Sequence, residues 1–419
     1  MEIGIFQLLP APETLSDREV IEQALWEVDC AEAGGFGSVW ITEHHLSSFG
    51  LVGAPSVYAA AVAQRTQRVR IGYAIAVLPL HHPLRLAEEI AWVGHLSGGR
   101  LLVGVGPGFS PYEFEAFGVP LDERHARLEE GSAILRAALS GEPFSYAGRF
   151  WSVPPVTLRP RPFQGCPPPF LRASSSVESL RAAARDGVPV MFGLAATAQI
   201  AERIAAYRAC AAELGRPAAE IDRQVAEFRV LRRVVLAADD DDALADARQA
   251  LRWEARTARR VHRAAGDRVA GGGGDGSDGD GSDGSGGHEA GGRGGAAKLA
   301  DGSEPHPEVD AADAAGAAGA AAAVDAAEVA GGCVGTPRTV LRELAALREL
   351  GIHHVIAWVN FGDLPFGKVR RSMELLRDEV LPALADEEPP EPAAAPVPAL
   401  AGLASAGRLE ESVTESSSA

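Results

Sequence analysis

The sequence predicts a (β/α)8 barrel, an α/β fold of the TIM type, carrying a low-complexity insert after its seventh strand and an acidic C-terminal tail. Three observations predict it. Short apolar segments alternate with amphipathic ones along the chain, which is the pattern of a parallel sheet covered by helices. Eight such units occupy roughly 320 residues, the size of a closed barrel. The first strand runs into Leu8-Leu9-Pro10-Ala11-Pro12, whereas an open doubly wound sheet would place a Gly-rich turn there.

The elements follow in order. Ile3–Leu9 is a buried apolar run, and Ser16-Asp17-Arg18-Glu19 then has the spacing of a helix cap, opening a helix that Gly34-Gly35 ends. Ser38–Thr42 is the second strand, Pro55–Ala63 a helix, Val69–Pro79 the third strand and Leu84–Leu96 its helix, stopped by Gly98-Gly99. Leu101–Val105 is the fourth strand. Leu121–Leu139 is a long helix, and Phe144–Val153 reads as a small inserted hairpin. Pro169–Ala173, Val188–Gly193 and Ala226–Ala237 are strands, alternating with helices at Val177–Arg185, Ala198–Leu214 and Asp240–Arg263. Thr336–Leu350 is helical, His354–Val359 is the eighth strand, and Val369–Leu384 closes the barrel.

Two segments stand apart. Gly271–Gly295 holds 14 glycines in 25 residues, too little apolar surface to offset the entropy of ordering. The chain therefore divides into barrel at 1–264, a disordered insert at 265–331, the end of the barrel at 332–384 and a disordered tail at 385–419. Asp278, Asp280, Ser282 and Glu289 sit at calcium-loop spacing, but the position that should be glycine is Asp283 and no amphipathic helices flank it. A solvated linker accounts for the stretch.

Charge sits in those same segments. The formal net charge is −18. Of this, −10 falls in Gly271–Ala330 and −6 from Ala385 onward, which leaves the barrel nearly neutral. No basic face is left for nucleic acid. No uninterrupted apolar run is long enough to span a membrane. The start, Met1-Glu2-Ile3-Gly4-Ile5-Phe6, has no basic region or cleavage site, and the four cysteines are scattered. A cytoplasmic protein is expected, with neither a disulfide framework nor a zinc site.

In a barrel the chemistry lies at the C-terminal ends of the strands. There, strand two ends in Glu43-His44-His45. Two histidines in a loop are often only solvated. At the catalytic end, one of them also fits a general acid or base, while metal binding is disfavoured because successive residues point to opposite faces. Strand three leads into His81-His82-Pro83, and strand four ends in Gly106-Pro107-Gly108, a turn that lets a ligand approach the backbone. Ser174, Ser175 and Ser176 precede a helix, with Ser179 one turn on. They fit either a phosphate cradle or an ordinary helix cap.

These residues resemble the bacterial-luciferase-like flavin-dependent monooxygenases. The similarity is carried by Trp40-Ile41-Thr42-Glu43-His44-His45-Leu46-Ser47-Ser48-Phe49-Gly50, Val77-Leu78-Pro79-Leu80-His81-His82-Pro83, Gly98-Gly99-Arg100, Glu113-Phe114-Glu115-Ala116-Phe117-Gly118 and Met373–Pro382. It spans nearly all of the ordered chain, and the Glu-His-His segment is its most specific part. The resemblance implies the same barrel, a homodimer, and a two-component enzyme. A separate NAD(P)H:flavin reductase would supply FMNH2 as a diffusing substrate. Molecular oxygen would form a flavin 4a-hydroperoxide, and one oxygen atom would pass to a small organic substrate, as in secondary-metabolite tailoring. It makes His44 the proton-transfer residue, with Glu43 and His45 beside it in the catalytic set. Ala74 and Ile75 would form a non-prolyl cis peptide beneath the flavin ring, and Ser176 and Ser179 would hold the FMN phosphate together with Gly106, Pro107, Ser174 and Ser175. The family's arginine in the strand-four turn is Pro107 here, and its carboxylate before the phosphate serines is Ser175. Hydroxyls, backbone N–H groups and Arg172 are left to bind phosphate. The family's mobile lid falls where this chain has its Gly/Asp/Ser insert. A deazaflavin-dependent oxidoreductase, moving hydride without oxygen, is the alternative from the same superfamily.

Overall fold

A computed structural model of the chain describes residues 1–271 and 332–385. The strands of the barrel are β1 (Glu2–Gln7), β2 (Ser38–Ile41), β3 (Arg70–Val77), β4 (Leu101–Gly106), β7 (Phe170–Ala173), β8 (Val190–Phe192), β9 (Arg229–Leu236) and β11 (His354–Trp358). All neighbours are parallel, and the β8–β9 and β11–β1 pairings close the ring. β5 (Phe144–Ala147) and β6 (Ser152–Val156) form the antiparallel hairpin outside it. The (β/α)8 architecture read from the sequence is therefore the architecture of the protein.

Around the barrel lie α1 (Asp17–Gly34), α2 (Pro55–Arg65), α3 (Pro83–Leu96), α4 (Pro111–Ala116), α5 (Arg124–Leu139), α6 (Val177–Asp186), α7 (Thr197–Glu213), α8 (Ala218–Ala226), α9 (Asp240–Gly271), α10 (Pro337–Glu349), α11 (Phe366–Leu375) and α12 (Leu381–Ala385). The expected cap of α1 is a full capping box between Ser16 and Glu19, and Gly35 ends the helix with φ +81°. Other boundaries moved. β9 starts at Arg229 because Ala218–Ala226 forms α8. The three-residue strand β10 (Cys333–Gly335) extends the outer edge of β9, too short to leave a periodic signal. α9 continues past the expected Arg263 to Gly271. The remainder of the proposed insert, the calcium-like spacing at Asp278–Glu289 and all but the first residue of the proposed tail lie outside the described residues.

Register fixes what faces the lumen. Gln7 of β1 is hydrogen-bonded to Glu27 of α1, so odd residues of β1 face the helices and even ones face inward. Inward-facing Trp40, 1% exposed, plugs the lower half of the barrel. A Cβ on Gly72 would stand 2.1 Å from its ring, so only glycine fits there. Above this plug β3, β4 and β7 contribute Ala74, Gly106 and Ala173 on one side.

Glu27 is the buried acid of the helix layer, 1% exposed. It accepts hydrogen bonds from Gln7 (2.7 Å) and Asn360 (2.6 Å), while Tyr58 donates to Gln7 (2.7 Å). Burial pushes its carboxyl up to about 8, against the pull of its two amide donors. A raised value means that its favourable contribution is complete below the ordinary 4.5 and is lost as pH rises through about 8. Thermal melts from pH 5 to 9 should therefore show stability falling across that span in the parent chain. Glu27→Gln should flatten the slope and be the more stable form at pH 9.

Candidate active site at the barrel mouth

The segment leaving β2 builds the site. Glu43 is 2% exposed, and its carboxylate gathers three donors. Val77 N–H donates to Oε2 at 2.8 Å, and His45 Nε2 (2.9 Å) and His81 Nε2 (2.8 Å) both face Oε1. Burial alone would raise the Glu43 carboxyl. The two imidazole hydrogen bonds, the charge of His81 and the Val77 amide outweigh burial and hold it at about 2. Burial works against the charged form of His81 as well, but Glu43 bonded to it, with Glu89 nearby, raises it above its ordinary value.

His44 points elsewhere. Its Nδ1 lies 2.9 Å from Oε1 of Glu113, and the same oxygen accepts the backbone N–H of His45 at 3.1 Å. Glu113 sits on α4, 4% exposed, and Tyr112 beside it donates to the Leu46 carbonyl at 3.1 Å. A carboxylate at Nδ1 fixes the proton there and leaves Nε2 as the basic nitrogen. Phe49 (4.9 Å) and Phe109 (5.8 Å) stand edge-on to the His44 ring, and Phe117 does the same to His45 at 4.6 Å. The His44 and His45 side chains thus belong to two separate networks, as their alternation along the chain implies. Among the described residues no group of three or more His, Cys, Asp or Glu is placed to hold a metal ion.

The floor beyond His44 is the end of β3. The Ala74–Ile75 peptide is cis, and the β3–β4 register shifts at that point. Ala74 and Ile75 are half-buried, next to Gly106 and Ala173. A Cβ on Gly106 would lie 2.1 Å from Ile75 Cδ1 and 3.2 Å from Ala173 Cβ, so this corner is lined as closely as backbone allows. Pro107 follows Gly106, at the start of the turn that carries Phe109.

At the next strand end, Ser174 Oγ and Ser179 Oγ are 2.6 Å apart. Ser176 caps α6: its Oγ accepts from Ser179 N at 3.3 Å, and Ser179 Oγ accepts from Ser176 N at 3.1 Å. Ser175 lies between them in the same turn. The capping reading is therefore realised, and the hydroxyls still cluster at the N-terminus of a ten-residue helix, where phosphate binding is favourable. Arg172 must be withdrawn from the phosphate set. β7 turns its side chain out into the helix layer, where it pairs with Glu129 of α5 and stands 3.9 Å from Asp186 of α6.

Sequence reading missed the role of Glu113, although it lies in a quoted motif, because nothing local says that α4 folds back over β2. It also left His81 without a partner.

The chain belongs to the luciferase-like monooxygenase family, whose model matches residues 1–354. It is 36% identical over 172 residues to the uncharacterized protein y4vJ of Sinorhizobium fredii, covering 41% of this chain and 49% of that one. It is 31% identical over 191 residues to the oxygenase component of a flavin-dependent trigonelline monooxygenase from Acinetobacter baylyi, covering 44% and 53%. The chain spans about half the length of the curated relatives it matches. Among solved structures, monooxygenase RslO1 from Streptomyces bottropensis superposes with a TM-score of 0.67 at 26% identity, over 92% of this chain and all of that one. The oxygenating constituent of 3,6-diketocamphane monooxygenase, from Pseudomonas putida and in complex with FMN, shares the fold at 19% identity and TM-score 0.65, over 91% and 98%. So does an F420-dependent secondary alcohol dehydrogenase, at 18% and 0.65, over the same shares.

Glu43→Gln tests the buried hub. Its depressed carboxyl contributes stability that is present above about pH 4.5 and lost as pH falls toward about 2. Denaturant titration at pH 7 should show a loss of about 1–3 kcal/mol, and the acid limb of the stability curve should become shallower.

Proposed function

We propose that the protein is the oxygenase of a two-component flavin-dependent monooxygenase. The observation that carries this reading is the His44–Glu113 pair at the mouth of a luciferase-family barrel, with the Nε2 side of the ring left for a reaction partner. The residues present fit FMN. The close-packed corner where Ile75 lies against Gly106 and Ala173, beside Ala74, offers a flat surface for a ring, and the Ser174, Ser175, Ser176 and Ser179 turn suits a phosphate. FMN, reduced by a separate NAD(P)H-dependent reductase, would supply the electrons with which molecular oxygen is activated for transfer of one atom to an organic substrate.

His44 Nε2 would accept and return the proton that this transfer requires, with Glu113 holding the ring. Phe49 and Phe109 would keep water from that nitrogen. Glu43 and His45 do not face the same space as His44; their part is to hold the loop that presents it. A homodimer would cover Val57 on α2 and Trp92 on the adjoining α3, exposed at 72% and 59%. No described helix is long and apolar enough to cross a membrane, and a cytoplasmic setting with its reductase is part of the same proposal.

His44→Ala should retain fold and flavin affinity while product formation falls by about 10²–10⁴-fold. Oxygen consumption and product, measured together with FMNH2 supplied chemically, decide the matter. Near-parental product from the variant removes His44 from catalysis, and reduction of a deazaflavin without oxygen uptake replaces the reading with hydride transfer.

The phosphate assignment has its own check. Ser176→Ala combined with Ser179→Ala should weaken FMN by about 1–3 kcal/mol, the scale of lost hydrogen bonds to a charged group. Riboflavin has no phosphate and should lose far less. Equal losses in a fluorescence titration would leave the serines as helix caps only.

A further inference from the structure

β9 lies four strands round the ring from β3, so its inward face looks across the lumen at Ala74 and Ile75. Arg233 is on that face, paired in register with Trp358 of β11. Its guanidinium lies over the Trp358 ring at 5.0 Å and the Phe361 ring at 5.6 Å, and Phe6 packs edge-on to Trp358. Arg233 Nη2 donates to Glu254 Oε2 at 2.6 Å, and the Glu254 side chain is only 8% exposed. Glu254 comes from α9, which packs against α4 and against the loop after β11 at Gly362 and therefore passes over the mouth.

The pair is not self-sufficient. Arg233 Nε and Glu254 Oε1 are both buried and have no hydrogen-bond partner, the carboxylate's other support coming from Arg233 Nη2 and the Gly362 backbone N–H. A buried donor and a buried acceptor left unmatched on the two members of one ion pair are costly, and the rings of Trp358 and Phe361 flank the guanidinium. The complement of such a wall is a flat molecule that offers an acceptor and a donor on one edge.

We propose that Arg233 and Glu254 are the polar anchor for the organic substrate, and that they select a planar aromatic compound bearing a carbonyl beside an N–H or O–H. The carbonyl accepts from Arg233 Nε, the adjacent donor gives to Glu254 Oε1, and the ring lies along Trp358 and Phe361. The naming of this wall as a substrate site rests on the oxygenase reading. Binding itself does not, so the test uses neither flavin nor oxygen.

Isothermal titration of the full chain should compare 2-quinolinone, which carries adjacent C=O and N–H, with N-methyl-2-quinolinone and 2-naphthoate. The expected order places 2-quinolinone at least about 10-fold tighter than its N-methyl analogue, because the latter leaves the carboxylate oxygen unpaired. Arg233→Met combined with Glu254→Leu removes both charges together and leaves none stranded; in it the preference should fall to near equality. Arg233→Lys, which keeps the charge and loses the planar Nε–H, should show the same collapse should the double variant not fold. Equal affinities in the parent chain, a preference that survives the substitutions, no binding of any probe, or tighter binding of 2-naphthoate would each overturn the proposal. Failure of the oxygenase reading would appear separately, as missing oxygen uptake in a chain that still discriminates between the quinolinones.

Discussion

An ionised carboxylate with 2% exposure persists only where donors surround it, and at Glu43 they come from three places in the chain. His45 comes from its own loop, Val77 from the end of β3, and His81 from the turn beyond. The hub therefore ties the C-terminal end of β2 to the strand whose register shifts beside Ala74 and Ile75. On the proposed reading the charge at this point acts through position.

The second constraint is how the lumen is filled. Trp40 occupies the lower half, and Gly72 yields the space its ring needs. Above it, β3, β4 and β7 contribute Ala74, Gly106 and Ala173, whereas β9 and β11 contribute Arg233 and Trp358 across the same opening. The mouth is thus asymmetric, with small residues and serines on one side and an aromatic, charged wall on the other. That asymmetry matches the two ligands proposed above, one flat ring with an anionic tail and one aromatic partner.

How much of this was legible beforehand depended on range in the chain. Ser16 and Glu19 announce their helix because the capping box is complete within four residues. The eight strands were readable because buried parallel strands are continuous apolar runs. α8 went unseen because the short stretch between the helix ending at Leu214 and the strand expected from Ala226 carries too few apolar positions to announce a separate helix, and β10 is too brief for any period. At the site, His44 stood out through its motif. Its partner Glu113 lies 69 residues away, and only the return of α4 across β2 brings the two together. Arg172 was misplaced for a related reason: on a four-residue strand the inward or outward parity is set by register with β4 and β8, not by composition.

The departures from the family pattern converge on one end of the site. Where relatives are expected to present an arginine this chain has Pro107, and Ser175 replaces a carboxylate. The nearby Arg172 is committed to Glu129 and Asp186 in the helix layer. Phosphate would then meet only hydroxyls and backbone N–H groups at the start of α6, and the serine hydroxyls already bond one another. Neutral donors hold a dianion less firmly than a guanidinium does. On the proposed reading, a site built this way would suit a reduced flavin that arrives, reacts and leaves better than one that stays bound, and would shift the demand for tight, oriented binding to the opposite wall, where Arg233 and Glu254 stand.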